Sequence, residues 1–283
     1  MFFIYLSGFE TDYCPMLKKT IIALFVLFGF FQNVHAQFTG FTHEVGVIAG
    51  PVAFQSDYGE RHDLSTNAGN TGFGIGIVHY MNFAYRADCN CYTTDTYFND
   101  HFKVRSELSY NKTKLQHFGR WVEKNSSSQG VQQLKAMRGE TTVMNAGMQL
   151  EFYPFSIRDF MATNGSFAPF ISLGAQYSFY DPEATSELGP LGIPEFTFPK
   201  YMDPSDGRPH GFSSESGNVW SIVGSVGTRY KLTELSDLMV DFRLQYYFSN
   251  WVDGLNPNPD LYPENKANDW LVWFNFGYIY YLD

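Results

Sequence analysis

From Asp269 to the end of the chain, Trp270, Val272, Phe274, Phe276, Tyr278, Tyr280 and Leu282 occupy every second position. A period of two held that long is a strand signal that no 3.6-residue helix produces. The preceding segment is cleaner. There Leu238, Val240, Phe242, Leu244, Tyr246 and Phe248 alternate with Asp241, Arg243, Gln245 and Ser249. The same alternation recurs upstream and predicts eight strands, at about 43–55, 70–84, 101–115, 138–153, 167–181, 217–232, 236–250 and 268–282. In the third, Val104, Leu108 and Tyr110 oppose Lys103, Arg105, Glu107, Ser109 and Asn111. In the fourth, Met144, Ala146, Met148 and Leu150 oppose Asn145, Gln149 and Glu151.

Which face is inside decides the class. A soluble barrel or sandwich hides its apolar face and shows the polar one; a membrane barrel does the reverse. Here the polar phase mixes Gly and Ser with charges of both signs, namely Arg105, Glu107, Glu151, Arg229, Asp241 and Arg243. The apolar phase sets Tyr or Trp near strand ends (Tyr110, Tyr180, Trp220, Tyr230, Trp270, Tyr280), as interfacial girdles do. Connections alternate as well. Those at 56–69, 116–137, 182–216 and 251–267 are long and rich in turn residues, whereas 85–100, 154–166 and 233–235 are mostly shorter. The expectation is an all-β chain: an eight-stranded antiparallel transmembrane β-barrel with long extracellular loops, mostly short periplasmic turns and both ends in the periplasm.

Composition fits that frame. Aromatic residues make up 18% of the chain, and 25 glycines suit turns and crowded strand faces. A formal charge of -10 argues against nucleic acid, whose phosphates select Lys and Arg patches. Lys18 and Lys19, the apolar run from Ile21 to Phe31 and the small residues Val34 and Ala36 read as an export signal, too short to span a bilayer. Residues 1–36 are therefore expected to be a signal peptide with translation starting at Met16, and residues 37–283 the outer-membrane barrel. No 20–50-residue repeat is evident.

No catalytic or cofactor motif stands up against a plainer reading, and no cofactor or metal is expected. The glycines of Asn70-Thr71-Gly72-Phe73-Gly74-Ile75-Gly76 alternate with large apolar residues. They line a strand face rather than open a nucleotide-binding helix. Cys89 and Cys91 form either a local disulfide or two turn thiols, a C-x-C ring being tight. Asp253 to Asp260 spaces oxygens somewhat like a calcium loop but lacks the EF-hand pattern, and its Asn-Pro pairs read as turns. The six inward charges read as a salt-bridged plug, since eight strands leave room only for side chains and buried charges must pair; a narrow small-molecule or ion route is the alternative. His43, His62, His79, His101, His117 and His210 read as interfacial or loop histidines, with a membrane-embedded lipid- or surface-acting hydrolase as the competing function. His79 falls on the apolar phase unless a bulge shifts the register.

The stretches THEVGVIAGPVAFQSDYGERHDL (42–64), TRYKL (228–232), QYYFSNWVDGLNPNPD (245–260) and WFNFGYIYYLD (273–283) resemble a family of small outer-membrane β-barrels of the Bacteroidota. The resemblance covers most of the chain after residue 36 and implies no activity and no catalytic residues. The expected function is a non-enzymatic envelope structural protein or an accessory subunit of an outer-membrane complex. Expected partners are outer-membrane lipid, the barrel assembly machinery and other envelope proteins, the last docking through residues 85–100 and 182–216.

Overall fold

Eight strands pair only with their sequence neighbours, and the last pairs with the first to close a barrel. They are β1 (Thr42–Gln55), β2 (Thr71–Asn82), β3 (Phe102–Gln116), β4 (Met137–Phe152), β5 (Phe167–Ser186), β6 (Gly217–Thr233), β7 (Ser236–Tyr247) and β8 (Trp270–Tyr281). This computed structural model describes residues 41–60, 63–83, 97–123 and 128–282. The export segment, His62, the Cys89/Cys91 pair and residues 85–96 of the second connection lie outside that set. No helix among the described residues is long and apolar enough to cross a membrane.

The register fixes the barrel's dimensions. Starting at Tyr280, the ladder runs through Val45, His79, Ser106, Met148, Ala175, Ile222 and Tyr246 and returns to β8 at Trp270. That stagger of ten residues over eight strands tilts the strands by about 41° and gives a backbone radius of about 8 Å. Along the axis, Tyr280 and Trp270 are then about 25 Å apart, the height of a lipid-facing apolar band.

Both ends of that band carry paired aromatic rings. Tyr177 packs on Trp220 and Tyr246 on Trp270 at the extracellular end; Phe167 packs on Tyr230 and Phe102 on Phe152 at the periplasmic end. Between them the outward positions include Ile75, Ile77, Leu108, Met148, Leu173, Val226 and Phe276, each about half exposed or more. Tyr180 departs from the expected girdle. It lies on the inner phase, 7% exposed, with its ring seated against Gly217. His79 needs no bulge: its pairing with Val45 and Ser106 is regular, and it stacks on His43 on the outer face.

Two connections hold more structure than their length suggests. The β4–β5 connection contains a helix (Ile157–Ala162), and the β5 strand itself runs five residues past its expected end, to Ser186. As a result β3, β4 and β5 form a wall that rises beyond the pairing of β5 with β6, which stops at Tyr180 and Gly217. In chain order the helices are α1 (Tyr97–His101), α2 on the β3–β4 connection (Gln129–Ala136, preceded by a single turn at Arg120–Glu123) and α3 (Ile157–Ala162).

Glycines on the inner face of β2 make space for a neighbour. A Cβ at Gly74 would stand 2.6 Å from the Trp273 ring, which is fully buried inside the barrel with its Nε1 donating to Gly50 O at 3.2 Å. Gly74→Val is therefore expected to destabilise the barrel by about 1–3 kcal/mol through overpacking. Gly224→Ala, where nothing lies closer than 3.6 Å, should leave the urea midpoint unchanged.

Candidate functional site

Inside the barrel the inward positions of β1, β3, β4, β6 and β7 bring ten charged side chains together, five acids and five bases, each at most 5% exposed. The lower group centres on Glu44. Its carboxylate accepts from Lys103 Nζ at 2.6 Å and from Arg229 at 2.5 Å. Arg229 also meets Asp237 at 2.7 Å, and Lys231 lies 3.4 Å from the other oxygen of Asp237. Tyr281 OH donates to Asp237 at 2.8 Å, while Lys231 sits 3.8 Å from the centre of the Tyr281 ring.

Glu107 is the hub of the upper group. Arg243 grips it with two parallel bonds of 2.5 and 2.7 Å, Arg105 lies 2.9 Å away, and the Gln149 and Gln176 amides donate to it at 3.4 and 3.3 Å. Arg105 also bonds Asp241 at 3.0 Å and lies 3.5 Å from Glu151. Tyr153 OH donates to Glu151 at 2.6 Å, and the Tyr80 ring lies beneath both Arg105 and Arg229, joining the two groups. Beyond Arg243 the inward residues become neutral. Gln245, Asn145, Ser178 and Ser221 bond one another, with Gln245 Nε2 donating to Asn145 at 3.0 Å and to Ser221 at 2.9 Å.

Charges inside and an apolar girdled band outside are the inversion that only a lipid surround makes favourable. The chain is an outer-membrane β-barrel. Among solved structures it is similar to Neisserial surface protein A (15% identity, covering 86% of this chain and 97% of that one, TM-score 0.41). It is similar also to Ail, the attachment invasion locus protein of Yersinia pestis (9% identity, 85% and 98%, 0.39), and to a major outer membrane protein from Thermus thermophilus (13%, 86% and 99%, 0.43). No family model matches the chain, and no curated protein matches it. The assignment rests on the residues themselves.

Both mouths of the barrel are covered. On the periplasmic side α3 lies under the lumen, capped by Ser156 Oγ accepting from Asp159 N, with Ile157 and Phe160 buried in the same core as Tyr153 and Phe170. On the extracellular side the β7–β8 connection folds inward. Val252 and Leu255 are fully buried, Thr141 Oγ1 donates to Val252 O, and Phe212 of the β5–β6 connection pairs with Leu255. Tyr201 of that same connection is buried and donates to Asp57 O.

Three carboxylates pin this cap. Asp269 accepts from the Val252 and Asp253 amides, Asp253 from those of Asp57 and Leu255, and Asp57 from the Asn250 and Asn265 side chains. Within residues 253–260, Asn256 Oδ1 accepts from Asn250 and Asn258 Oδ1 from Asp260 N. Among the described residues no group of three or more His, Cys, Asp or Glu side chains is placed to hold a metal ion.

All six charges singled out in the sequence face the lumen, and the structure brings them together. Glu44, Lys103, Lys231 and Asp237 complete the network and escaped notice as site residues. The described histidines do not converge. His43 and His79 bond each other, and His101 contacts Tyr153 O, at the periplasmic end; His117 contacts Tyr58 O and His210 contacts Met202 O in the extracellular cap.

Removing one partner from a buried ion network leaves charges unmatched, at about 3–5 kcal/mol. Glu107→Gln should lower stability by about that much, measured as the urea midpoint in lipid vesicles. Combining Glu107→Leu with Arg243→Met leaves Arg105 paired with Asp241 and Glu151, and should recover most of the loss. A second expectation concerns the cap. Burial, with Asp269 and Asp57 beside it, holds the Asp253 carboxyl well above the usual carboxylate range. A folded-state value above the unfolded one stabilises at low pH and loses that contribution as pH rises through the folded-state value. Proteolysis of loop 250–268 should therefore accelerate as pH rises. Asp269→Asn keeps an oxygen toward the two amides while removing a charge, and should flatten that dependence.

Proposed function

We propose that this chain is a non-enzymatic outer-membrane barrel that works through its two faces rather than through its lumen, as an envelope structural protein or an accessory subunit of an outer-membrane complex. The observation that carries this reading is the filled interior. Ten charges in ion-pair contact occupy the periplasmic half, amides and hydroxyls the next layer, and folded connections cover both mouths. With a backbone radius of about 8 Å, side chains of that size take up the available cross-section.

The faces offer contact surfaces. At the periplasmic rim Tyr97 and Phe98 of α1 are 65% and 44% exposed, at the described end of the 85–100 segment. The 182–216 segment commits Tyr201, Phe198 and Phe212 to the cap but leaves Leu188 and Ile193 outward. Partners are proposed to dock at these two places. The finer grouping, with the small Bacteroidota barrels, rests on the resembling stretches at 42–64, 228–232, 245–260 and 273–283.

Planar-bilayer recordings of the purified protein should show no stable large conductance, and persistent nanosiemens channels would overturn the filled-lumen reading. Cross-linking before mild detergent extraction should trap a larger species through the 97–101 or 188–193 surfaces. Recovery of monomer alone would leave the structural role and remove the subunit role.

A further inference from the structure

The extracellular cap contains a cavity of about 430 Å³ that the sealed lumen does not account for. It opens between all four long connections. Phe118, Val122, Val131, Leu134, Phe198 and Tyr201 give it mainly apolar walls. The Phe118 ring lies where a Cβ on residue 69 would stand, 2.0 Å from its Cζ, so Gly69 is what admits that wall.

A ring nitrogen at this cavity lacks a partner. His117 lines it, its ring tilted against those of Tyr58 and Tyr201. Its Nδ1 lies 2.6 Å from Tyr58 O. A carbonyl only accepts, so Nδ1 carries the hydrogen and Nε2 presents a bare lone pair. Burial lowers the imidazole pKa to about 4, so this neutral tautomer persists at physiological pH. Nε2 is buried and has no hydrogen-bond partner among the described residues.

The charges around the cavity are already matched. Lys200 pairs with Glu264 at 2.9 Å, Glu60 with Arg120 at 3.0 Å, and the Asp57 carboxylate holds two Asn amides. An anionic ligand would therefore enter without a free counter-charge. A molecule with an apolar body and one donor satisfies walls and lone pair together.

We propose that this cavity is a binding site for a small uncharged ring compound of one or two rings carrying a single hydroxyl or N–H donor, which His117 Nε2 accepts. The site faces the cell exterior and goes beyond the reading of the barrel as a filled scaffold; its test does not depend on conductance or on partners.

The probes are 2-naphthol, its ether 2-methoxynaphthalene, which lacks the donor, and the charged 2-naphthalenesulfonate. Binding to the full chain in lipid nanodiscs is measured against empty nanodiscs, with imidazole 15N NMR reporting on His117. Saturable 2-naphthol binding is expected, at least tenfold tighter than the ether, with the sulfonate weaker still and the His117 Nε2 resonance shifting as its lone pair becomes bonded. His117→Phe should bring the naphthol-to-ether ratio to about one, and Leu134→Trp should fill the cavity and remove saturable binding of both. Heat-modifiability gels check that the variants fold, and the ether comparison on the unaltered chain needs no variant. The proposal is overturned if naphthol shows no saturable binding, if the ether or sulfonate binds as tightly, or if folded Leu134→Trp binds as before.

Discussion

An ionised side chain that faces the inside of an eight-stranded barrel has almost no water to turn to, so it must find its opposite. Glu107 shows how far this goes: two arginines and two glutamines converge on one carboxylate. The rest of the interior follows from the same demand. Five acids and five bases balance, Arg229 and Arg243 reach two carboxylates each and Arg105 three, and Tyr80, Tyr153 and Tyr281 supply rings and hydroxyls where a further charge would be unmatched. Buried pairs of this kind contribute modestly compared with an apolar core, yet losing one member is costly. The network therefore specifies which strands must meet more than it raises stability.

The specification is long-range. Glu44 on β1 meets Lys103 on β3 and Arg229 on β6, and Arg105 on β3 meets Asp241 on β7. None of these contacts exists within a hairpin, so a partly assembled sheet leaves charges unmatched until β1 and β8 close. Above this layer the inward residues change to Asn, Gln and Ser, then to Phe54, Val143 and Leu271 under the folded connections. The ion-pair network thus fills the periplasmic half, while apolar packing and the hydrogen-bonded carboxylates of Asp57, Asp253 and Asp269 close the extracellular one.

Much of this was legible in the sequence because the period-two alternation is dictated by the pleat. The strands lie within a few residues of their expected ends, and the inward placement of Arg105, Glu107, Glu151, Arg229, Asp241 and Arg243 follows from the same phase. Glu44 was harder to see, since the inner phase of β1 is otherwise apolar, with Ile48, Val52 and Phe54. Lys231 and Asp237 flank the tightest turn and resemble ordinary turn charges, although their side chains reach back under the barrel. The α3 helix is too short for a helical period to register. The cavity at His117 is built from four connections, and no local pattern encodes such a convergence.

The wall formed by β3, β4 and β5 has a consequence for life in a crowded surface. Where β5 outruns β6 it presents an open strand edge, residues 181–186, to whatever stands beside it. Such an edge is a template on which a neighbouring chain can add strands without limit. Pro182 offers no amide there, Ala184 N already donates to Ser214 Oγ, and Asp181 and Glu183 place negative charge along the same stretch. The tall sheet therefore rises above the membrane with that open edge blunted against strand addition.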